Sequence, residues 1–208
     1  MPKLFPKLFL LIPALGFLFF FHLSDPAVLP AQDGTMSKIF DSKNFPAAKG
    51  LKFTLDAPVD YSEFEETPEG LVAGYEYASE SGDSYLYVTI AVEDLPEGFP
   101  AGSLKKEDGT FDRDKVNALW ESVVKKEEGT LTKQSWGKNP SADIFIKIKD
   151  GEISKINGLN YTLKDDKIVV LNCGYNSFGD GEDDGEGDPE SDLPGDCAPF
   201  FKSLKFQD

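Results

Sequence analysis

"GLVAGYEYASESGDSYLYVTIAVED", Gly70 to Asp94, is the stretch that decides how this chain is built. Two runs rich in β-branched and aromatic residues flank "SESGD", which holds the serine, glycine and aspartate that tight turns use. The stretch reads as an antiparallel hairpin. Centred on Ser81, it sets Tyr75 opposite Tyr87 and Tyr77 opposite Tyr85. Residues two apart on a strand share a face, so the four rings form one ladder. Val72, Leu86, Val88, Ile90 and Val92 then form the core side. Tyr75, Tyr77, Tyr85 and Tyr87 are candidate partner-binding residues, since an exposed tyrosine platform is amphipathic and rigid. The alternative is that a helix covers the ladder as ordinary packing.

On the N-terminal side, "LKFTLD" alternates Leu51, Phe53 and Leu55 with Lys52, Thr54 and Asp56, the period of a half-buried strand. On the C-terminal side a loop punctuated by Pro96 and Pro100 leads to one amphipathic helix. Asp112 suits its N-cap, Phe111 and Val116 suit a hydrophobic staple, and Gly129 suits the exit turn. Val116, Leu119, Trp120, Val123 and Val124 recur on one helical face. Further strands follow at "TLTKQSW", at "DIFIKIK", and at "GLNYTLK" and "KIVVLNC" around an Asp165–Asp166 turn. Pro199 opens a short helical turn, "PFFKSL". The class is α+β: an antiparallel sheet of about six to seven strands packed with one main helix and a short C-terminal helix.

This order resembles the PsbP-like fold. The likeness lies in the opening "GLKFTLDAP", the hairpin, the central helix, the later meander and the closing "FFKSLKF", and it spans Phe45 to Phe206. The tryptophan such domains often carry after the first strand is absent, and Tyr61 or Phe64 stands in its region. The resemblance implies a non-catalytic binding or assembly factor and no particular site.

Residues 1–31 read as an export signal. Lys3 and Lys7 precede the apolar run Leu8 to Leu23, with cleavage after Ala31. The alternative is an uncleaved anchor, the only reading that ties the chain to a membrane. Residues 32–49 read as a tether and 50–208 as a single domain, exported to a periplasmic or extracellular setting.

The chain carries 37 acidic residues against 21 basic ones, a net charge of −16. Such a field repels nucleic acid and favours cations or basic proteins. The only histidine, His22, lies in the signal, so the domain cannot assemble a histidine-based triad or zinc site. Only carboxylates, lysines, tyrosines and hydroxyls remain for catalysis. Among Glu65, Glu66, Glu76 and Glu93 nothing selects the spaced pair a glycosidase needs.

Two cysteines in an exported chain pair, so Cys173 and Cys197 are expected to close a loop of 23 residues, worth about 3–4 kcal/mol. That loop holds nine acidic residues and no lysine or arginine. Asp180, Glu182, Asp184, Glu186 and Asp188 approach the ligand spacing of an EF-hand calcium loop. Ser191 stands where the closing glutamate belongs, and Pro189 stiffens the far side. The other reading is a solvated acidic loop or a partner-binding flap.

The sequence therefore predicts an exported, non-enzymatic binding or accessory domain, using the tyrosine face or the acidic loop. Its partner is a basic protein or a carbohydrate, not nucleic acid. Two alternatives stand beside it: a calcium-stabilised exported protein, and an acidic inhibitor or immunity factor for a basic secreted protein.

Overall fold

In a computed structural model, residues 36–57, 61–68, 70–79, 82–150, 153–178 and 197–207 are described. The expected signal, 1–31, and the candidate calcium ligands Asp180, Glu182, Asp184, Glu186 and Asp188 lie outside them. The chain forms strands β1 (Met36–Phe40), β2 (Phe53–Ala57), β3 (Glu65–Thr67), β4 (Gly70–Ser79) and β5 (Gly82–Asp94). Helix α1 (Arg113–Glu127) follows, then β6 (Thr130–Ser135), β7 (Ser141–Asp150), β8 (Ile153–Lys164) and β9 (Lys167–Phe178). Helix α2 (Cys197–Lys202) and β10 (Lys205–Phe206) end the described chain.

Seven strands form an antiparallel sheet in the order β3-β4-β5-β9-β8-β7-β6, and three form a smaller sheet, β1-β2-β10. The predicted α+β class, with its antiparallel sheet, main helix and short C-terminal helix, is what the chain adopts. β7 and β8 bury apolar residues at alternate positions, whereas β9 is apolar on both faces, Val169 and Leu171 on one and Ile168 and Val170 on the other.

Against one face lies α1. The side chain of Asp112 caps it, accepting from the backbone N–H groups of Asp114 and Lys115. Val116, Leu119 and Trp120 are fully buried against Ile144, Leu159, Tyr161 and Leu163. Burying each such side chain contributes on the order of 1.5–3 kcal/mol. At the helix exit Glu128, not Gly129, takes the left-handed conformation, with φ 55°. Gly129 answers a different demand. A Cβ there would sit 2.6 Å from Ile144 Cγ2 and 2.9 Å from the Phe145 carbonyl oxygen.

The opposite face of β5 and β9 buries Val88, Ile90, Val92, Val169 and Leu171 beneath the small sheet and Phe200 of α2. Here the expected 32–49 tether is corrected from residue 36 onward. β1 pairs along β2, and Phe40, Phe45 and Ala48 are at most 1% exposed. Phe40 stacks on Phe53 at 5.2 Å and meets Phe45 edge-on at 5.8 Å. The segment is core because these rings supply the cover that β5 and β9 need.

The hairpin register is also corrected. Ser79 pairs with Gly82, a register one residue away from the pairing centred on Ser81. Tyr75 therefore pairs with Leu86, Tyr77 with Ser84, Tyr85 with Glu76 and Tyr87 with Gly74. Since one residue of slip exchanges the faces, register positions 75 and 77 no longer share a side with 85 and 87. The cause is burial: this register sets Leu71 opposite Ile90 and Ala73, 2% exposed, opposite Val88, filling the small-sheet side.

Candidate functional site

The small sheet covers only part of the large one. Past β9, the same face continues over β8, β7 and β6 with a different chemistry. Gly158, Asn160 and Thr162 on β8 and Ser141, Asp143 and Phe145 on β7 point where β5 and β9 carry valine, isoleucine and leucine. Between this surface and α2–β10 runs a groove of roughly 660 Å³. That size lies within the usual range for ligand clefts, about 300–1,000 Å³.

The floor is polar and internally ordered. Thr162 Oγ1 donates to Asn160 Oδ1 at 2.8 Å, and Asn160 Nδ2 donates to Asp143 Oδ1 at 2.6 Å. Asn160 is 7% exposed and Thr162 8% exposed. The chain of donors runs one way and ends on a carboxylate. No second hydrogen bond to the Asp143 carboxylate forms among the described residues, so its remaining oxygen is an acceptor for a group entering the groove.

Two walls flank the floor. On the edge strand, β6 steps irregularly between Leu131 and Lys133, and Thr132 Oγ1 ties the bulge to the Asp143 carbonyl at 3.2 Å. Bulges of this kind re-aim side chains, and Lys133 lines the groove from here, with Lys138 in the following loop. Pro140 holds that loop against β8 by accepting from the Leu163 N–H at 2.9 Å.

The other wall is α2 and β10, anchored at both ends. Cys197 opens α2 and is disulfide-bonded to Cys173 of β9. Ser203 closes it, accepting from Asp56 N–H at 2.9 Å and donating to the Phe200 carbonyl at 2.7 Å. Phe200 between them is 1% exposed. These anchors present Phe201, Lys202, Leu204, Lys205 and Phe206 to the groove. Lys164 lies over the Phe206 ring at 5.8 Å.

Four lysines, Lys133, Lys138, Lys202 and Lys205, therefore line one groove in a chain of net charge −16. Asp143 is the only acid among the described residues of that lining. Lys133, Lys202 and Lys205 form no ion pair among the described residues.

The residues singled out from sequence lie elsewhere. Tyr87 sits in a row with Gly174 and Asn157 on the α1 side of the sheet, its hydroxyl donating to Asn157 Oδ1. Gly174 leaves the space: a Cβ there would collide with the Tyr87 ring. The side chains of Tyr75, Tyr77 and Tyr85 are outside the described set. Of the candidate acids, Glu65 and Glu66 are successive, exposed residues of β3, and Glu93 lies 3.8 Å from Lys126. The Glu76 side chain is not described, and Glu65, Glu66 and Glu93 are not among the groove's lining residues. Burial, with Glu127 and Glu93 nearby, raises the Tyr161 phenol well above its ordinary pKa, but this group is also on the α1 side.

What sequence reasoning missed is the groove itself. Its signal was the alternation in "GLNYTLK", where Gly158, Asn160 and Thr162 oppose Leu159, Tyr161 and Leu163. Among the described residues no group of three or more histidine, cysteine or acidic side chains converges as a metal cage.

Fold and site together define an α+β sandwich, a large antiparallel sheet between a helix and a small sheet, that carries a lysine-lined groove. No family model matches the sequence, and no curated protein matches it. Among solved structures, the chain is similar to the Ran-binding protein Mog1p of Saccharomyces cerevisiae. Identity is 14%, over 83% of this chain and 96% of that one, with a TM-score of 0.41. A protein of Bacteroides thetaiotaomicron aligns at 11% identity and a TM-score of 0.37 over 84% of this chain. The chain spans about half (49%) of that protein's length. At such scores the likeness carries no functional argument.

Proposed function

We propose that this chain is an exported, non-enzymatic binding domain that engages a protein partner through the groove between β6–β8 and α2–β10. The observation that carries the reading is the groove's composition. A buried, ordered amide–hydroxyl floor, aromatic walls and a lysine lining supply orientation, apolar contact and charge in one cleft. Catalysis has little to work with there. A carboxylate pair needs a second acid about 5–9 Å away, and among the described residues Asp143 is alone in the lining. The element order that resembles the PsbP-like fold, whose members are mostly binding or assembly factors, points the same way.

Export rests on the oxidised Cys173–Cys197 pair, a bond that persists in oxidising compartments. No described helix is long and apolar enough to cross a membrane. The experiment is site-specific photo-crosslinking in cells, with a benzophenone amino acid at position 202 in the groove wall or at 121 on α1. A partner adduct at 202 and none at 121 is the expected result. Equal labelling at both positions would remove the groove as the binding site.

A further inference from the structure

We infer that the occupant of this groove is an acidic segment of a partner protein, held in extended form, rather than the basic partner that the net charge favours. The inference rests on the groove being the binding site and names what enters it.

Charge is the first argument. Among the described residues the groove gathers Lys133, Lys138, Lys202 and Lys205 around a single carboxylate, whereas the chain as a whole has 37 acids to 21 bases. A basic segment would meet these four cations at close range, where like charges oppose it most. An acidic segment finds complementary charge here, which fixes both where it docks and in which register. A long polyanion such as nucleic acid would also meet the field of the rest of a chain whose net charge is −16, so a short acidic stretch is the better match.

The floor is the second argument, and it selects a peptide. Asn160 spends a donor on Asp143, and Thr162 spends its proton on Asn160. Asp143 keeps an acceptor oxygen, and a backbone N–H is the donor that an extended chain repeats along its length. Phe145, Phe201 and Phe206 offer apolar surface among the lysines. A strand-like segment alternates its side chains, so acidic residues turned toward lysines and apolar ones toward rings fit together. A free anion would use the lysines and leave the rings and Asp143 unmatched.

The test is selection of displayed random twelve-residue peptides on the full chain, repeated on the Lys202→Glu/Lys205→Glu variant and on Lys125→Glu as control. Lys125 is exposed on α1, on the other side of the large sheet. Peptides lost on the groove variant alone are expected to be acidic and to carry alternating apolar residues. Their affinity should fall about tenfold or more on reversing the two lysines and stay unchanged for Lys125→Glu. If the groove-dependent peptides are basic or uncharged, the acidic occupant is overturned while the groove stands as a binding site. If acidic peptides are selected equally on all three proteins, both readings fall.

Discussion

Asn160 on β8 donates to Asp143 on β7 at 2.6 Å while its own carbonyl accepts from Thr162 at 2.8 Å, so one amide orders the floor of the groove. Replacing it with alanine leaves a buried hydroxyl without its acceptor and should cost about 1–3 kcal/mol. Asn160→Asp is the sharper variant. It keeps the shape and sets a second carboxylate beside Asp143, and the two charges oppose each other. The folded-state pKa of the introduced carboxyl then lies above the unfolded value near 3.9. The penalty is therefore absent below about pH 4 and grows as pH rises through the folded pKa. Denaturant melts of Asn160→Asp and wild type should diverge toward neutral pH and converge in acid; parallel curves would mean the amide is not what orders the floor.

A second carboxylate carries the opposite dependence. Hydrogen bonds and charge from Lys167, at 2.6 Å, and Lys49, at 2.8 Å, lower the Asp94 pKa from 3.8 to about 2. Because the folded value is depressed, the stabilisation is complete above the unfolded pKa and disappears as pH falls through the folded one. Asp94→Asn should melt at a lower temperature than wild type at pH 6. The two melting curves should approach each other between pH 4 and pH 2. A constant gap down to pH 2 would show that these contacts do not act through the Asp94 charge.

Much of the fold was legible in the sequence because its signals are local. Period-two alternation marks "DIFIKIK", and the spacing of Val116, Leu119, Trp120 and Val123 marks one helix face with Asp112 as cap. What was not legible depends on distant partners. Nothing near Phe40 or Phe45 announces burial, which arises when β1 meets β2 and Phe40 stacks on Phe53. The hairpin is legible, but its register is not. "SESGD" accepts more than one turn centre, and the packing of Leu71 and Ala73 decides between them. The groove was invisible for the same reason. Lys133 and Lys205 are far apart in the chain, and a lysine in a strand or helix reads as solvent-facing until the opposite wall is known.

Glycines test the packing behind the floor. At Gly129 a new Cβ would press on Ile144 Cγ2 at 2.6 Å and on backbone at the Phe145 oxygen, which cannot swing away. Gly129→Ala should therefore destabilise by about 1–3 kcal/mol, as overpacking does. Gly137 is exposed, and a Cβ there meets nothing within 4 Å. Gly137→Ala should change stability by less than about 0.5 kcal/mol. Equal effects in chemical denaturation would mean that α1 and β7 do not approach as closely as Gly129 requires.

The Cys173–Cys197 bond joins β9 to the first residue of α2, and α2 is a wall of the groove. Two effects of removing it should be separable. The first is global: Cys173→Ser/Cys197→Ser frees a 23-residue loop in the unfolded chain and should lower stability by about 3–4 kcal/mol. The second is local. Ser203 still ties the far end of α2 to Asp56, and Phe200 still fills the core, so the wall loses one anchor of two. Backbone amides of Phe201 and Lys202 should then exchange hydrogen faster in the double-serine variant than in wild type. This excess should exceed any seen at Leu119 or Trp120 on the opposite side of the sheet. Uniform acceleration at all four sites would show that the disulfide acts on the unfolded chain alone and leaves the groove wall as it was.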